Sequence, residues 1–296
     1  LLNLVILPFR PRKSAEAYEK IWTAEGSPLL VFSMALATAL QRSLGDSALV
    51  QLGMCYGNPS LDAAFAAFAA AGVDQITVVP LLPQYASATT GSAFQGVMHR
   101  AGQAYNVPKL QLIDEYFDDA GYLAALAAAS ASSIADADHV LISFHGLPER
   151  QIVKGDPSAA HCLKSDTCCD SLTLLNRRCY RAQCYATARG LVEQMQLAPG
   201  SWSVAFQSRF GRDPWIQPFT ETRLEQLASE GVKRVAVITP GFAVDCLETL
   251  EELGIRGQEV FRAAGGESLV LAPCLNASPE WVSALANIVR RGSPWL

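Results

Sequence analysis

Short β-branched apolar runs alternate along the sequence with longer segments rich in Ala and Leu. This alternation is typical of parallel strands joined by crossover helices, and it predicts an α/β protein. We predict strands over residues 49–56, 75–81, 110–113, 139–144, 202–206, 234–238 and 268–271. We predict helices near residues 28–43, 61–71, 93–105, 122–133, 187–196, 220–229, 245–253 and 279–289.

The predicted strands divide almost evenly about residue 135, in a region that is small, polar and weakly patterned. We therefore predict two α/β domains, with one continuous sheet as the alternative. The amino-terminal domain takes residues 1–135, and the carboxyl-terminal domain takes residues 136–275 with a cysteine-rich insertion at residues 158–184. We expect residues 276–296 to form a last helix that packs back on the first domain.

Composition and charge exclude several classes of protein. The chain is 50% hydrophobic and 17% charged, which excludes a disordered protein. Its longest apolar stretches, residues 28–40 and 63–73, fall short of the roughly 18 apolar residues that a membrane-spanning helix needs. A net charge of −5, with no Lys or Arg run longer than a pair, argues against nucleic acid as a partner. No pattern sets an oligomeric state.

His145 directly follows the predicted strand at residues 139–144. Open parallel sheets bind ligands outside the carboxyl ends of their strands, so we expect the imidazole to lie in a cleft. An imidazole that titrates near neutrality accepts a proton or offers a lone pair to a bound group. The alternative is a histidine that merely hydrogen-bonds a nearby carbonyl, and position alone does not separate the two.

An acidic segment opens the helix that follows the strand at residues 234–238. Asp245 suits the N-cap, and Glu248 and Glu252, four residues apart, share one helical face. Compensation of the helix dipole explains Asp245 and Glu248 well, but it explains the deeper Glu252 less well. A file of carboxylates near His145 predicts a site that removes protons and handles a hard or borderline divalent cation.

Cysteines are concentrated in one short segment, whereas Cys55, Cys246 and Cys274 stand alone. The segment contains Cys162, Cys168, Cys169, Cys179 and Cys184. Nothing in the sequence indicates secretion, so a local metal site is a better interpretation than a disulfide framework. The alternative is a set of reduced thiols in a surface loop, which would expose oxidisable groups without benefit.

Several segments, in order along nearly the whole chain, carry a resemblance to a known family. They are Gly26-Ser-Pro28, Tyr56-Gly-Asn-Pro59, Pro80-Leu-Leu-Pro-Gln-Tyr85 with Thr89-Thr-Gly-Ser92, Ser143-Phe-His-Gly-Leu-Pro148, Gly155-Asp-Pro157, Phe206-Gln-Ser-Arg-Phe-Gly211 with Pro214-Trp215, and Pro240-Gly-Phe-Ala-Val-Asp-Cys-Leu-Glu-Thr-Leu-Glu-Glu252. With these segments the chain resembles the ferrochelatases, the lyases that complete haem synthesis by inserting Fe²⁺ into protoporphyrin IX.

The resemblance implies two Rossmann-like, chelatase-type domains with an active-site cleft between them. It implies a cytoplasmic enzyme with protoporphyrin IX and Fe²⁺ as substrates. It makes His145 the group that accepts pyrrole protons or binds the metal, with Glu248 opposite it. The remaining implied site residues contact the porphyrin or continue the acidic path, and they are Tyr56, Tyr85, Trp215, Phe242, Asp245 and Glu252.

Two features depart from the family pattern. Family members begin with a strand of the type Leu-Val-Asn-Leu-Gly-Thr-Pro, central to the first sheet, whereas the match here starts after it, with no initiator Met or signal peptide. The cysteine segment is the second departure. Some ferrochelatases carry a [2Fe–2S] cluster on four cysteines, so the resemblance implies such a cluster on four of these five, with zinc as the alternative.

Three alternatives stay open on the sequence alone. One is a related chelatase for another metal or tetrapyrrole. Another is a truncated, non-catalytic relative that binds porphyrin or the cluster, which the absent first strand favours. The third concerns location, because Trp295 near the end of the chain suggests peripheral contact with a membrane surface on the strength of one aromatic residue.

Overall fold

Two separate parallel sheets organise the chain. The fold is that of a computed structural model, which describes residues 7–293 but not the side chains of residues 7–11 and 13. The strands are β1 (Gln75–Val78), β2 (Lys109–Leu112), β3 (His139–His145), β4 (Trp202–Gln207), β5 (Arg234–Ile238) and β6 (Ser268–Leu271). The helices are α1 (Leu7–Glu19), α2 (Pro28–Leu44), α3 (Leu61–Ala70), α4 (Ser92–Ala101), α5 (Ala120–Ile134), α6 (Glu149–Lys154), α7 (Tyr180–Gln194), α8 (Thr220–Ser229), α9 (Leu247–Thr249), α10 (Gln258–Ala263) and α11 (Pro279–Gly292).

The carboxyl-terminal sheet has the strand order β4-β3-β5-β6, and all its pairs are parallel. Leu141, Ile142 and Phe144 of β3 are fully buried, as expected for a central strand with helices on both faces. The register pairs His145 with Gln207 at the carboxyl ends of β3 and β4. The sheet therefore brings two polar side chains together at one edge.

The amino-terminal sheet contains only β1 and β2 among the described residues, and the predicted strand at residues 49–56 is wrong. This segment forms no ladder with β1. Instead Gln41 of α2 bonds its backbone, donating to Ala48 O at 2.9 Å and accepting from Val50 N at 2.8 Å. A cavity of about 390 Å³, here called the β1 cavity, is lined by this segment and by β1, with Leu52 and Ile76 among its walls.

The cysteine segment and the helix after it also differ from the prediction. The helix expected near residues 187–196 begins at Tyr180, with Cys179 as its N-cap residue. All five cysteines of the segment are buried, so they are not thiols on an exposed loop. The earlier start could not be predicted because residues 180–186 are mostly polar or small and show no apolar stripe.

An aromatic cluster packs where the two sheets approach each other. Tyr116, Tyr122 and Trp281 lie with ring centroids 5.5 to 5.9 Å apart. The hydroxyl of Tyr116 donates to Pro80 O at 3.1 Å, beyond β1, and that of Tyr122 donates to Pro240 O, beyond β5. These bonds tie α5 and the loop before it to the strand-end loops of both sheets.

Within residues 7–293, no helix is long and apolar enough to cross a membrane.

Candidate active site

A cavity of about 480 Å³ lies at the carboxyl ends of the strands, with walls from both halves of the chain. We call it the His145 cavity. The loop after β1 contributes Gln84, and the ends of β3 and β5 contribute His145 and Phe242. Tyr180 of α7 and Trp215 also line the cavity. Its size and mixture of aromatic and few polar groups suit an organic ligand.

His145 is the last residue of β3, and its ring has a defined hydrogen bond. Its Nδ1 lies 2.6 Å from Gly146 O. Because a carbonyl oxygen can only accept, Nδ1 carries the proton of this bond, and in the neutral imidazole Nε2 is the nitrogen with the free lone pair. The sequence left a carbonyl-bonded histidine and a proton acceptor as alternatives, and this geometry makes the two compatible. His145 can therefore accept a proton at Nε2.

Two aromatic side chains flank the imidazole. The ring centroids of Trp215 and Phe242 lie 6.4 and 6.5 Å from that of His145. Trp215 is held by its Nε1, which donates to Phe210 O at 2.8 Å, and by a bridge to Pro148. Three of the predicted site residues, His145, Trp215 and Phe242, thus come together in one cavity.

Gln207 links the strand that bears His145 to the helix that bears Glu248. Its backbone oxygen accepts from Gly146 N at 2.7 Å, and its Nε2 donates to Glu248 O at 2.9 Å. Its Oε1 accepts from the buried Ser143 hydroxyl at 2.8 Å, so the side chain has little freedom. The family motif at residues 206–211 includes this position, but it implied no role for the amide.

Glu248 lies in α9, beside the Cys246 thiol. Burial raises the pKa of Cys246, and the neighbouring Glu248 raises it further, so this cysteine stays a thiol. The N-cap of α9 is Cys246 and not Asp245 as predicted, because the Cys246 amide donates to the Thr249 hydroxyl at 3.0 Å. Glu248 is half-buried and does not line the His145 cavity.

Asp245 is buried among protein donors and does not reach the cavity. Its Oδ1 accepts from the Thr249 hydroxyl at 3.0 Å, and its Oδ2 accepts from Asn276 Nδ2 at 2.8 Å and from Cys274 N at 3.3 Å. These bonds join the start of α9 to the loop after β6. The carboxylate acts as a structural acceptor in this arrangement.

Glu252 lies one turn beyond Glu248, in a π-helix over Leu250–Gly257 that continues α9. It accepts from the Ser208 hydroxyl at 2.7 Å and pairs with Arg256 at 3.2 Å. The residue borders a second, smaller cavity of about 170 Å³ next to the end of β4. π-Helical turns occur frequently at functional sites, and this one carries Glu252, the last carboxylate of the predicted acidic file.

The two predicted tyrosines lie away from the His145 cavity. Tyr56 is 89% exposed, and Tyr85 packs under the guanidinium of Arg178, which lies 4.2 Å from the ring centroid. Neither lines the cavity, although both neighbours of Tyr85 do. The Tyr85 amide donates to Gln183 Oε1 at 2.6 Å, which fixes the backbone between these two neighbours.

Four of the five clustered thiols form a chain of contacts. The Cys168 and Cys169 sulfurs lie 3.7 Å apart, and Cys179 contacts both Cys162 and Cys169. Burial is the main cause that raises the pKa of Cys162, while contact with Cys179 is the main cause for Cys169. Among the side chains that the structure describes, no three or more His, Cys, Asp or Glu are arranged to hold a metal ion.

The fifth cysteine and its neighbours supply a residue that the sequence did not single out. Cys184 is fully buried one helical turn after Tyr180 and contacts the Tyr180 hydroxyl. That hydroxyl donates to His145 O at 2.8 Å, and the ring lines the His145 cavity. The only signal was the position of Tyr180 directly after Cys179 in the cysteine segment.

Solved structures share this fold. SirB from Bacillus subtilis, solved with Fe³⁺, superposes with a TM-score of 0.60 at 14% identity, covering 91% of this chain and 92% of that one. CbiX, described as the terminal enzyme for sirohaem biosynthesis in denitrifying bacteria, gives a TM-score of 0.55 at 15% identity, covering 90% and 94%. These likenesses confirm the predicted α/β fold class.

Sequence comparisons address the family. The ferrochelatase of Bdellovibrio bacteriovorus is 44% identical over 292 residues, which cover 98% of this chain and 86% of that protein. The ferrochelatase of Azotobacter vinelandii is 46% identical over the same length and shares. A family model described as Ferrochelatase matches residues 1–293. On these matches, which confirm the resemblance found in the sequence, the chain belongs to the ferrochelatase family.

Proposed function

We propose that this chain inserts Fe²⁺ into a porphyrin bound in the His145 cavity and releases two protons. The observation that carries the proposal is the bond between His145 Nδ1 and Gly146 O, which in the neutral imidazole leaves Nε2 as the proton acceptor. Each inserted Fe²⁺ replaces two pyrrole N–H protons, so the charge balances without another reactant. Protoporphyrin IX is the substrate that the family resemblance implies.

The aromatic walls supply binding and orientation. Trp215 and Phe242 present ring surface to the cavity next to the imidazole, which suits a flat macrocycle. We propose these two residues as the porphyrin contacts. Tyr56 and Tyr85 remain proposed contacts at the outer rim, because Tyr85 lies between two cavity residues and Tyr56 follows the segment that lines the β1 cavity.

The carboxylates form the proposed path for protons or metal. Glu248 is joined to the end of β4 through Gln207, and Glu252 continues the file along the π-helix. We keep Glu248 as the partner of His145 and Glu252 as the next group outward. We propose that Asp245 serves this path indirectly, because its three hydrogen bonds fix the loop from which α9 starts.

The experiment that tests this function is an anaerobic assay of the purified chain with protoporphyrin IX and Fe²⁺ or Zn²⁺, followed by absorbance. We expect turnover, and we expect His145→Ala to abolish it while His99→Ala, an exposed histidine of α4, leaves it unchanged. Turnover that survives in His145→Ala would contradict the assigned role. Insertion of only another metal would identify a related chelatase.

A non-catalytic porphyrin-binding protein is the second candidate, and the β1 cavity favours it. Among the described residues, β1 has no neighbouring strand on the side that borders this cavity. The amino-terminal sheet is therefore incomplete next to the active site. Porphyrin fluorescence quenched by the chain without any metal insertion would establish this alternative.

We also propose that the first strand typical of the family occupies the β1 cavity. Apolar side chains line the cavity from both sides, including Val50 and Leu52 opposite Ile76 and Val78, as they would flank an inserted strand. Addition of a peptide with the pattern Leu-Val-Asn-Leu-Gly-Thr should raise the Tm, whereas a scrambled peptide should not. The proposal fails if both peptides act alike. The domain bounds at residues 135 and 275 remain proposals of the same kind.

We propose that Cys162, Cys168, Cys169 and Cys179 hold a [2Fe–2S] cluster, with zinc as the alternative. Thiolates are the ligands of both groups, and the four side chains already form a chain of contacts within the core. A bound [2Fe–2S] cluster supplies a one-electron redox centre, whereas zinc supplies a cross-link. Cys184 is set apart by its contact with Tyr180.

Anaerobic purification with analysis of iron, labile sulfide and zinc tests this assignment. We expect Cys162→Ser to lose the metal and Cys184→Ser to retain it. A colourless protein without iron or labile sulfide would contradict the cluster, and zinc at one equivalent would replace it with the alternative.

Location is proposed on chemical grounds. All eight cysteines are free, which suits the reducing cytoplasm. We propose a cytoplasmic protein that contacts the membrane surface peripherally. Trp295, which suggested this contact, lies outside the described residues. Co-sedimentation with anionic lipid vesicles tests the membrane contact, and recovery only in the supernatant would contradict it.

A further inference from the structure

The peptide group between His145 and Gly146 is clamped from both sides. Its N–H donates to Gln207 O at 2.7 Å, and its carbonyl accepts from the Tyr180 hydroxyl at 2.8 Å. The next carbonyl, Gly146 O, is the one that fixes the imidazole tautomer at 2.6 Å. Any rotation of the clamped peptide would therefore move the acceptor that holds the His145 ring.

Tyr180 belongs to a face of α7 that braces both walls of the His145 cavity. Gln183 accepts from Tyr85 N at 2.6 Å, and the Thr187 hydroxyl accepts from Gln84 Nε2 at 3.0 Å. Residues 180, 183 and 187 follow helical spacing and so lie on one face. Through them, α7 holds the loop after β1 on one wall and the end of β3 on the other.

The same helix is anchored in the cysteine segment. Its N-cap is Cys179, one of the four contacting thiols, and the segment before it is fixed by two buried side chains. Asp156 accepts from Cys162 N at 2.8 Å, and Asn176 Nδ2 donates to Cys168 O at 2.9 Å. Since Tyr180 directly follows Cys179, a displacement of the thiols is transmitted to the phenol.

We infer that Tyr180 is a positioning residue for His145, and that through it the cysteine segment controls the geometry of metal insertion. This inference rests on the proposed function of the His145 cavity and on the contacts of Tyr180. It does not depend on whether iron–sulfur or zinc occupies the cysteines, since either would fix Cys179. It gives the cysteine segment a structural role at the active site and requires no electron transfer.

The test is Tyr180→Phe in the full chain. The ring stays in the cavity wall while the bond to His145 O is lost, so we expect kcat to fall about tenfold and the porphyrin Kd, measured by fluorescence quenching, to stay within about twofold. The matched control is Tyr185→Phe on the same helix, whose hydroxyl accepts from Arg181 at 3.4 Å and which lies outside the cavity. We expect it to match the wild type.

A second readout does not depend on activity. The His145 ring signals in a ¹⁵N or ¹³C NMR spectrum, assigned with His145→Gln, should shift or broaden in Tyr180→Phe and not in Tyr185→Phe. An unchanged spectrum and an unchanged kcat would overturn the inference. Equal losses in kcat and porphyrin affinity would also overturn it, because Tyr180 would then be a substrate contact. A wild-type chain without insertion activity would contradict the proposed function, whereas the NMR result would still decide the positioning role.

The link to the cysteines is tested with Cys162→Ser, which changes a thiol remote in sequence from Tyr180. We expect this variant to perturb the His145 signals and to lower kcat. We expect the double variant with Tyr180→Phe to have a kcat no lower than that of the less active single variant. Losses that multiply, or unperturbed His145 signals, would overturn the link. Where the serine variant does not fold, as judged by circular dichroism, Cys162→Ala takes its place.

Discussion

The two sheets differ in how completely their strands are enclosed. In the carboxyl-terminal sheet, β3 lies between β4 and β5 and its central residues Leu141 and Ile142 are fully buried. In the amino-terminal sheet, β1 pairs only with β2, and its other side borders a cavity of about 390 Å³. The comparison indicates that His145, the proposed proton acceptor, is placed by the closely packed sheet, whereas the loosely packed sheet contributes a wall of the cavity.

The largest expected effect compares matched isoleucines in the two sheets. Ile142→Ala in β3 should lower the free energy of unfolding by about 3–5 kcal/mol, because the truncated side chain leaves a new cavity in a closely packed core. Ile76→Ala in β1 should cost about 1–2 kcal/mol, because Ile76 already borders the β1 cavity. Urea denaturation measures both. Equal losses would break the comparison by showing that both sheets are packed alike.

The next effect is the acid sensitivity of the carboxyl-terminal sheet. His139 at the start of β3 is buried beside Ser203, and burial, followed by the nearby Arg223, lowers its pKa to about 4, with Glu230 opposing. Between pH 6.5 and 4 the unfolded state binds the proton and the folded state does not, so stability is full above pH 6.5 and falls toward pH 4. We expect a loss of about 3 kcal/mol at pH 4.

Thermal unfolding over this pH range tests that expectation. His139→Gln should flatten the dependence, while His99→Gln on the exposed face of α4 should retain it. An unchanged slope in His139→Gln would assign the acid sensitivity to other groups.

A smaller effect on stability is expected at Gly146, which directly follows β3. A Cβ on Gly146 would lie 2.8 Å from Gln207 O and 3.2 Å from Trp215, so Gly146→Ala must displace one of them. We expect a loss of about 1–3 kcal/mol in stability and at least tenfold in kcat. The control is Gly102→Ala at the end of α4, where the nearest atom lies at 3.4 Å. If Gly146→Ala retained full activity, the end of β3 would be less constrained than we infer.

The smallest effect compares helix N-caps. Ser278 of α11 accepts from Trp281 N at 3.4 Å, and Ser60 of α3 accepts from Ala63 N at 3.1 Å. Each substitution by Ala should cost about 1 kcal/mol. Because α11 is largely buried and α3 is not, Ser278→Ala should lower the Tm, while Ser60→Ala should mainly speed amide exchange within α3. The reverse pattern would contradict the comparison.

The carboxyl-terminal strands were predictable because each is a β-branched run buried on both faces. Strands β3 to β6 agree with the prediction to within a residue at either end. The same signal failed at residues 49–56, since an apolar pattern reports which side chains are buried and not whether a partner strand is present. The start of α7 could not be predicted either, because it is defined by Cys179 and by contacts with distant loops.

The candidate site also contains residues that were predictable from the sequence and residues that were not. His145, Trp215 and Phe242 were accessible from strand ends and family motifs, and the structure gathers them in one cavity. Asp245, reached from its helix-start position and the motif, and Tyr56, reached from the motif alone, do not line this cavity: the Asp245 carboxylate accepts protein hydrogen bonds, and Tyr56 is exposed. Tyr180 could not be found from sequence, because its importance depends on a bond to a backbone carbonyl 35 residues away.

The bond between His145 Nδ1 and Gly146 O affects the cost of proton transfer. When Nε2 accepts a proton in the proposed reaction, the imidazolium keeps this bond and gains a positive charge that the carbonyl dipole already stabilises. No ring flip and no exchange of hydrogen-bond partners accompanies the transfer. The folded protein therefore orients the base before the reaction, and the reorganisation energy of the base during proton transfer is small.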